Sequence, residues 1–90
     1  MLKTLEDLIN IIRDRKSSSD DSSYTSKLLK DKSLSVEKVK EEIAELIEAV
    51  ENNSNKIHEA ADVFYHLIMF LEANNVKIED VIAELNKRKK

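Results

Sequence analysis

The chain of 90 residues contains no cysteine, no glycine and no proline. The lack of cysteine excludes disulfides, thiolate metal sites and cysteine nucleophiles, and it fits a reducing compartment. The lack of glycine and proline removes the usual markers of turns. Breaks between elements must therefore be read from clusters of Ser, Asn and Asp, whose side chains bond their own backbone. Aromatic residues make up only 4% of the chain, whereas Glu, Lys, Leu, Ile and Ala, which favour helices, are abundant. This composition predicts an all-α protein.

The chain also lacks a strong excess of charge and a long hydrophobic run. Its formal net charge is −3 and its pI is near 5.4, so it has no strongly basic face for a nucleic acid. No apolar run approaches the roughly 18 residues of a membrane span, and residues 1–16 lack the apolar core of a signal peptide. We therefore expect a soluble, cytoplasmic protein with neither a nucleic-acid nor a membrane partner.

Polar clusters at residues 17–23, 31–35 and 51–55, with a weaker one at 73–75, divide the chain. They predict five helices, near residues 4–15, 24–30, 36–51, 56–73 and 78–88. Composition alone favours a solvated linker for the serine-rich cluster at 17–23.

Capping residues are found at three of these predicted helix starts. Ser35 and Asn55 stand where N-caps belong, and Thr4 with Asp7 resembles a capping box.

A chain this short forms a single domain, 1–90, that buries only about 60 to 65% of its unfolded surface. We expect a small antiparallel bundle of about five helices, completed by dimerisation.

The helix at 36–51 is apolar on one side and acidic on the other. Its apolar positions alternate in steps of three and four, as in a bundle helix: Val36, Val39, Ile43, Leu46 and Val50. On the other side Glu42 and Glu45 are neighbours, with Glu41 and Glu48 close by. Taken alone, this acidic side is what a solvated helix face looks like.

The helix at 56–73 carries acids where a solvated face does not explain them. Glu59, Asp62 and His66 form a stripe between apolar residues, so we expect this stripe to face a partner helix. His58, Tyr65 and Glu72 share a narrow arc that we expect to face water. An unpaired carboxylate is costly to bury, so the stripe indicates a cation, a basic partner or a function.

The two acidic pairs predict a metal site. Antiparallel helices joined by a short turn bring Glu42, Glu45, Glu59 and Asp62 together on facing surfaces. Oxygen-only ligation favours Mg²⁺, or Mn²⁺, over Zn²⁺. A histidine beside carboxylates more often hydrogen-bonds near such a site than binds Mg²⁺, and we expect this of His66.

The motifs as a set match a known family. "EEIAE" at 41–45 and "EAAD" at 59–62 resemble the EExxE and ExxD motifs of MazG-type all-α nucleotide pyrophosphohydrolases. "DRK", "SSYTSKLL", "KVKEEIAE" and "EAADVFYHL", in this order, resemble the phosphoribosyl-ATP pyrophosphatases of histidine biosynthesis. The resemblance runs from about Leu5 to Leu85, and one departure is Lys40, where that family commonly has glycine.

The resemblance implies hydrolysis of phosphoribosyl-ATP to phosphoribosyl-AMP and pyrophosphate by a Mg²⁺-dependent enzyme. It implies that Glu42, Glu45, Glu59 and Asp62 hold the metal and that Glu41 helps to order a water, which makes Glu41 and Glu42 the catalytic candidates. The implied substrate-binding residues are basic or carry hydroxyls: Arg13, Arg15, Lys16, Ser23, Tyr24, Thr25, Lys27 and Lys38. For the basic residues at 13–16, stabilisation of a helix C-terminus is an alternative role.

Two other functions remain open from the sequence. A house-cleaning nucleoside triphosphate pyrophosphohydrolase of the MazG type would share the same metal set, and the "SSYTSKLL" segment argues against it. The chain could also be a purely structural helical dimer whose acids are solvated.

Overall fold

The computed structural model describes residues 2–17 and 23–89. Regular structure in these ranges is entirely helical, and the helices are α1 (Leu2–Ser17), α2 (Tyr24–Lys30), α3 (Lys32–Asn52), α4 (Lys56–Ala73) and α5 (Ile78–Arg88). The predicted all-α class and the five predicted helices are confirmed. Residues 18–22, most of the serine-rich cluster, lie outside the described part of the chain. No helix in that part is long and apolar enough to cross a membrane.

A single residue, Asp31, separates α2 from α3 and caps both. Its backbone N–H donates to the Lys27 carbonyl oxygen at 2.9 Å, and its Oδ1 accepts from the Leu34 N–H at 3.1 Å. Helix α3 therefore begins at Lys32, four residues before the predicted start. The prediction of Ser35 as N-cap is wrong, because Ser35 is buried inside α3. The predicted capping box at Thr4 is also wrong, since α1 already begins at Leu2.

Asparagine takes the place of glycine at the ends of α3 and α4. Asn53, Asn55 and Asn75 are the described residues with positive φ, between 52° and 60°, and Asn tolerates this conformation better than other non-glycine residues. After each helix an N–H returns to the carbonyl five residues back, from Ser54 to Ala49 and from Val76 to Leu71, both at 2.9 Å. Such bonds satisfy carbonyl groups at a helix end. The bond from Ser54 also fixes the short turn between α3 and α4.

Helix α4 lies at the centre of the fold and packs against each of the other four helices. The core is formed by side chains of α1, α2 and α4: Ile12, Leu28, Leu29, Ile68, Met69 and Ala73. The densest pairing joins α4 to α3. This pairing faces the acidic residues of the two helices toward each other.

An ion-pair network fastens α1 to the end of α4 and to α5. Both Nε and Nη2 of Arg13 donate to Glu72 Oε2, at 3.3 and 3.1 Å, and Nη1 and Nη2 donate to Glu79 at 2.9 and 2.6 Å. Lys16 Nζ donates to the Glu72 carbonyl oxygen and to Asn75 Oδ1. Glu72 is only 5% exposed. The expectation that Glu72 faces water is therefore wrong.

Candidate metal centre

The turn between α3 and α4 brings three carboxylates from two helices together. Glu42 and Glu45 on α3 and Glu59 on α4 each offer one oxygen, and these oxygens lie within 4.8 Å of one another. Glu42 and Glu45 meet because residues three apart share a helix face. Glu59 reaches them because it lies in the first turn of α4, directly after the turn. We call these three residues and Asp62 the carboxylate cluster.

Asp62 lies three residues after Glu59, on the same side of α4. It groups with Glu59 and His58, whose ligand atoms also lie within 4.8 Å of one another, and His58 Nε2 is 3.4 Å from Asp62 Oδ2. Glu59 therefore belongs to both groups and connects the α3 carboxylates to Asp62. The helical periodicity predicts a water-facing arc for His58, and its side chain is indeed 72% exposed. The sequence analysis does not predict the contact between His58 and Asp62. Their spacing of four residues could have indicated it, because such residues are neighbours on a helix.

Two oxygens of the carboxylate cluster, Oε2 of Glu42 and Oε2 of Glu59, are buried and have no hydrogen-bond partner among residues 2–17 and 23–89. Burial raises the pKa of both carboxyls, and the charges of Glu45 and Asp62 raise it further. A buried carboxylate oxygen without a partner is costly. A divalent cation would satisfy both oxygens and offset the mutual repulsion, so these residues fit a site for a hard, oxygen-preferring metal ion.

Glu41 and Lys38 form a pair on the exposed side of α3, one position before the carboxylate cluster. Lys38 Nζ donates to Glu41 Oε2 at 3.2 Å, and this bond raises the pKa of Lys38. Glu41 therefore does not share the buried environment of Glu42. It lies where a carboxylate can contact solvent or a substrate.

His66 links the carboxylate cluster to α2. It is 8% exposed, its Nδ1 lies 2.9 Å from the carbonyl oxygen of Asp62, and its Nε2 lies 3.0 Å from the hydroxyl of Tyr24. The adjacent residues Thr25 and Tyr65 bond through their hydroxyls. The sequence does not predict Tyr65 as part of this arrangement, because nothing local connects residues forty positions apart.

The other proposed substrate-binding residues occupy different surroundings. Ser23 Oγ accepts from the Ser26 N–H at 3.0 Å and so caps α2. Arg15 and Lys27 are exposed. Arg13 and Lys16 bond at Glu72, which is ten residues beyond Asp62 and thus about 15 Å further along α4.

Comparison with known proteins gives one consistent result. The family described as phosphoribosyl-ATP pyrophosphohydrolase matches residues 5–89. The chain is 40% identical to the phosphoribosyl-ATP pyrophosphatase of Clostridium novyi, over 99% of this chain and 84% of that protein. It is 36% identical to a protein of the same name from Halobacterium salinarum, over 99% of this chain and 100% of that protein. The corresponding protein of Ruegeria pomeroyi is 43% identical, over 97% of this chain and 86% of that protein. The match covers the carboxylate cluster and all five helices, and the chain belongs to the phosphoribosyl-ATP pyrophosphohydrolase family.

Proposed function

We propose that this protein hydrolyses phosphoribosyl-ATP to phosphoribosyl-AMP and pyrophosphate, an early step of histidine biosynthesis, and that it requires Mg²⁺, for which Mn²⁺ can substitute. The observation that carries the metal part of the proposal is the pair of buried, unpartnered oxygens of Glu42 and Glu59 in the carboxylate cluster. Membership of the family supports the substrate. A cytoplasmic location is part of the same proposal, since the pathway is a biosynthetic one.

The four residues of the carboxylate cluster would hold the metal: Glu42, Glu45, Glu59 and Asp62. A bound divalent cation lowers the pKa of a water, polarises a phosphoryl group and screens the leaving pyrophosphate. Glu42 and Glu59 contribute the oxygens that lack any other partner. His66 fixes the Asp62 backbone through the carbonyl oxygen and thereby helps to hold that carboxylate in position.

Glu41 and Lys38 are the residues proposed to act on the reacting groups. Glu41 is exposed, whereas Glu42 is half-buried, so Glu41 can accept a proton from a water and orient that water while it stays in contact with solvent. Lys38, released from Glu41, can pair with a phosphate oxygen as a compact positive charge. Their ion pair would then exchange when substrate binds.

The remaining contacts with the substrate come from α2 and its surroundings. Ser23, Tyr24, Thr25, Lys27 and Arg15 stay in the proposed substrate site. The bonds of Arg13 and Lys16 to the Glu72 region favour a structural role for these two residues. This role differs from the stabilisation of the α1 C-terminus that the sequence offered as an alternative.

The protein is proposed to act as a homodimer. Apolar side chains at spacings of three, four and seven leave a stripe on each long helix exposed in the single chain: Ile43, Ile47 and Val50 on α3, and Ile57 and Phe64 on α4. Ile57 is 89% and Phe64 59% exposed. Side chains of this size are enriched at buried interfaces, and the occupant that fits without any further partner is a second copy of the chain.

Pyrophosphate release from phosphoribosyl-ATP tests the metal requirement. The wild-type protein should release pyrophosphate with Mg²⁺ and stop when EDTA is added. Asp62→Asn should lower turnover by orders of magnitude, because it removes a proposed metal ligand. Asp80→Asn is the matched control on α5, outside the carboxylate cluster, and should keep normal turnover. Equal activity of the two variants, or full activity in EDTA, would refute the assignment.

A further inference from the structure

The hydroxyl of Tyr24 is joined to the backbone of Asp62 through the imidazole of His66. His66 Nδ1 lies 2.9 Å from the Asp62 carbonyl oxygen, and Nε2 lies 3.0 Å from the Tyr24 hydroxyl. A carbonyl oxygen can only accept, so Nδ1 must carry a proton and donate it. In a neutral imidazole, the bond at Nδ1 therefore decides the direction of the bond between Nε2 and the Tyr24 hydroxyl.

A neutral imidazole carries one ring proton, and in His66 that proton is on Nδ1. Nε2 is then an acceptor, and the Tyr24 hydroxyl must donate to it. The two rings also meet edge to face, with centroids 5.9 Å apart and planes at 76°, and His66 is 8% exposed. The single hydroxyl proton of Tyr24 is then used in the hydrogen bond to His66. The Tyr24 oxygen can offer only lone pairs to a further partner.

Two hydrogen bonds hold the Tyr24 oxygen beside the carboxylate cluster, because His66 joins it to the backbone of Asp62. Tyr24 is 45% exposed. Burial of its hydroxyl and the charge of Glu42 raise the pKa of Tyr24, and Lys38 opposes that shift. At the pH of catalysis, phosphate oxygens are acceptors and cannot bond an oxygen that offers only lone pairs. A sugar hydroxyl can, because it donates.

We propose that Tyr24 is a specificity-determining residue that accepts a hydrogen bond from a sugar hydroxyl of the substrate and does not contact its phosphates. The inference rests on the proposed function, and it assigns Tyr24, one of the substrate-binding residues expected from the sequence, to the sugar of the substrate. His66 acts as a positioning residue, because it holds the Tyr24 proton and so makes the oxygen an acceptor.

Binding of two stable ligands by calorimetry, in Mg²⁺ at about pH 8 where imidazole is neutral, tests the inference. Phosphoribosyl-AMP carries sugar hydroxyls, whereas methylenediphosphonate, a stable pyrophosphate analogue, carries none. Tyr24→Phe keeps the ring and removes the oxygen. This variant should bind phosphoribosyl-AMP about tenfold more weakly, equivalent to about 1.4 kcal/mol. Its Kd for methylenediphosphonate should stay within about twofold of wild type. The inference would be overturned if Tyr24→Phe weakened the binding of both ligands, of methylenediphosphonate alone, or of neither ligand.

Tyr65→Phe is the matched control. It removes a hydroxyl bond between the same two helices, to Thr25, and keeps the bond between Tyr24 and His66. Because its partner Thr25 is itself a proposed substrate-binding residue, any loss of affinity in Tyr65→Phe should affect both ligands alike. A selective loss of phosphoribosyl-AMP binding in Tyr65→Phe would assign the effect to the placement of α2 and overturn the inference. A Tyr24→Phe variant with lower kcat but unchanged phosphoribosyl-AMP binding would assign Tyr24 to the attacking water, which also overturns it.

Turnover of phosphoribosyl-ATP by the wild-type protein tests the proposed function separately. Turnover combined with unselective binding by Tyr24→Phe would overturn the inference alone. Absence of both turnover and phosphoribosyl-AMP binding in the wild type would overturn both.

Discussion

Replacing Glu42 by Gln should stabilise the metal-free protein and weaken its response to Mg²⁺. The carboxylate of Glu42 has a buried oxygen without a partner, and its pKa is raised by burial and by Glu45. Both facts mean that its negative charge is unfavourable in the folded chain. The amide keeps the shape of the side chain and removes that charge. In the absence of metal the variant should therefore resist unfolding better than wild type.

The size of the effect follows from the geometry. Two unit charges 4.8 Å apart, the limit for the oxygens of Glu42, Glu45 and Glu59, repel by about 0.9 kcal/mol in water and about 3.5 kcal/mol at an effective dielectric of 20. Glu45 is exposed, so solvent screens its share and the lower figure applies. We expect a gain of about 1 kcal/mol. For a domain of this size, that corresponds to a rise in Tm of about 4 to 8 °C.

Thermal unfolding in EDTA and in increasing Mg²⁺ measures both halves of the prediction. A ligand present at one hundred times its Kd stabilises the native state by about 2.7 kcal/mol. Wild type should gain stability of this order, and Glu42→Gln should gain much less at the same Mg²⁺ concentration. Lowering the pH from 7 toward 5 should stabilise the metal-free wild type, because a carboxyl whose pKa is raised on folding binds protons more tightly in the native state. This pH effect should be weaker in the variant.

Glu51→Gln is the control for the change of charge alone. Glu51 is exposed on the same helix and belongs to neither metal-binding group, so its amide should change Tm little in EDTA or in Mg²⁺. If Glu42→Gln destabilised the metal-free protein, or if both variants responded to Mg²⁺ as wild type does, the carboxylate cluster would not be a metal site.

Other perturbations test the parts of the structure outside the carboxylate cluster. Arg13→Met should destabilise the fold by about 2 kcal/mol in urea unfolding, because it leaves the buried Glu72 carboxylate without its cation; Glu79→Gln should lose less, and equal losses would contradict the assignment. Arg13 also lowers the pKa of Glu79 to about 2 from 4.5. The stabilisation of the fold by the Arg13–Glu79 pair should therefore be present above about pH 4.5 and be lost as the pH falls toward 2. Unfolding curves of Arg13→Met should lack this contribution to the acid dependence. Phe64→Asp should convert the proposed dimer to a monomer in light scattering, since a charge would enter the interface, whereas a wild-type monomer at micromolar concentration would refute dimerisation.

Helical periodicity was enough to predict the parts of the fold that depend on neighbours in sequence. Residues at spacings of three and four correctly predicted the acidic sides of α3 and α4 that face each other, whereas Ile43 and Val50, on the predicted packing side of α3, are exposed in the single chain. The three-residue connection between these helices favours an antiparallel pair, in which Glu42 and Glu45 can face Glu59. For this reason the spacing of the acidic residues was sufficient to predict the carboxylate cluster.

Contacts between distant residues could not be predicted in this way. Arg13 is separated from Glu72 by 59 positions and from Glu79 by 66, and no local spacing indicates such a pair. Glu72 consequently looked like a solvated residue on the polar side of α4. The bond from Tyr24 to His66, 42 positions apart, was missed for the same reason. The early start of α3 was missed because a dual cap at Asp31 looks, in sequence, like one more residue of a polar cluster.

The measurement that tests the central claim most directly is the rate of pyrophosphate release from competing substrates in Mg²⁺. Phosphoribosyl-ATP, ATP and the deoxynucleoside triphosphates should be compared with the same enzyme preparation by kcat/KM. The account predicts that phosphoribosyl-ATP is preferred over each of the others by at least about a hundredfold, or about 2.7 kcal/mol of transition-state binding. A comparable or higher kcat/KM for any of the simple nucleoside triphosphates would contradict it and favour a house-cleaning pyrophosphohydrolase.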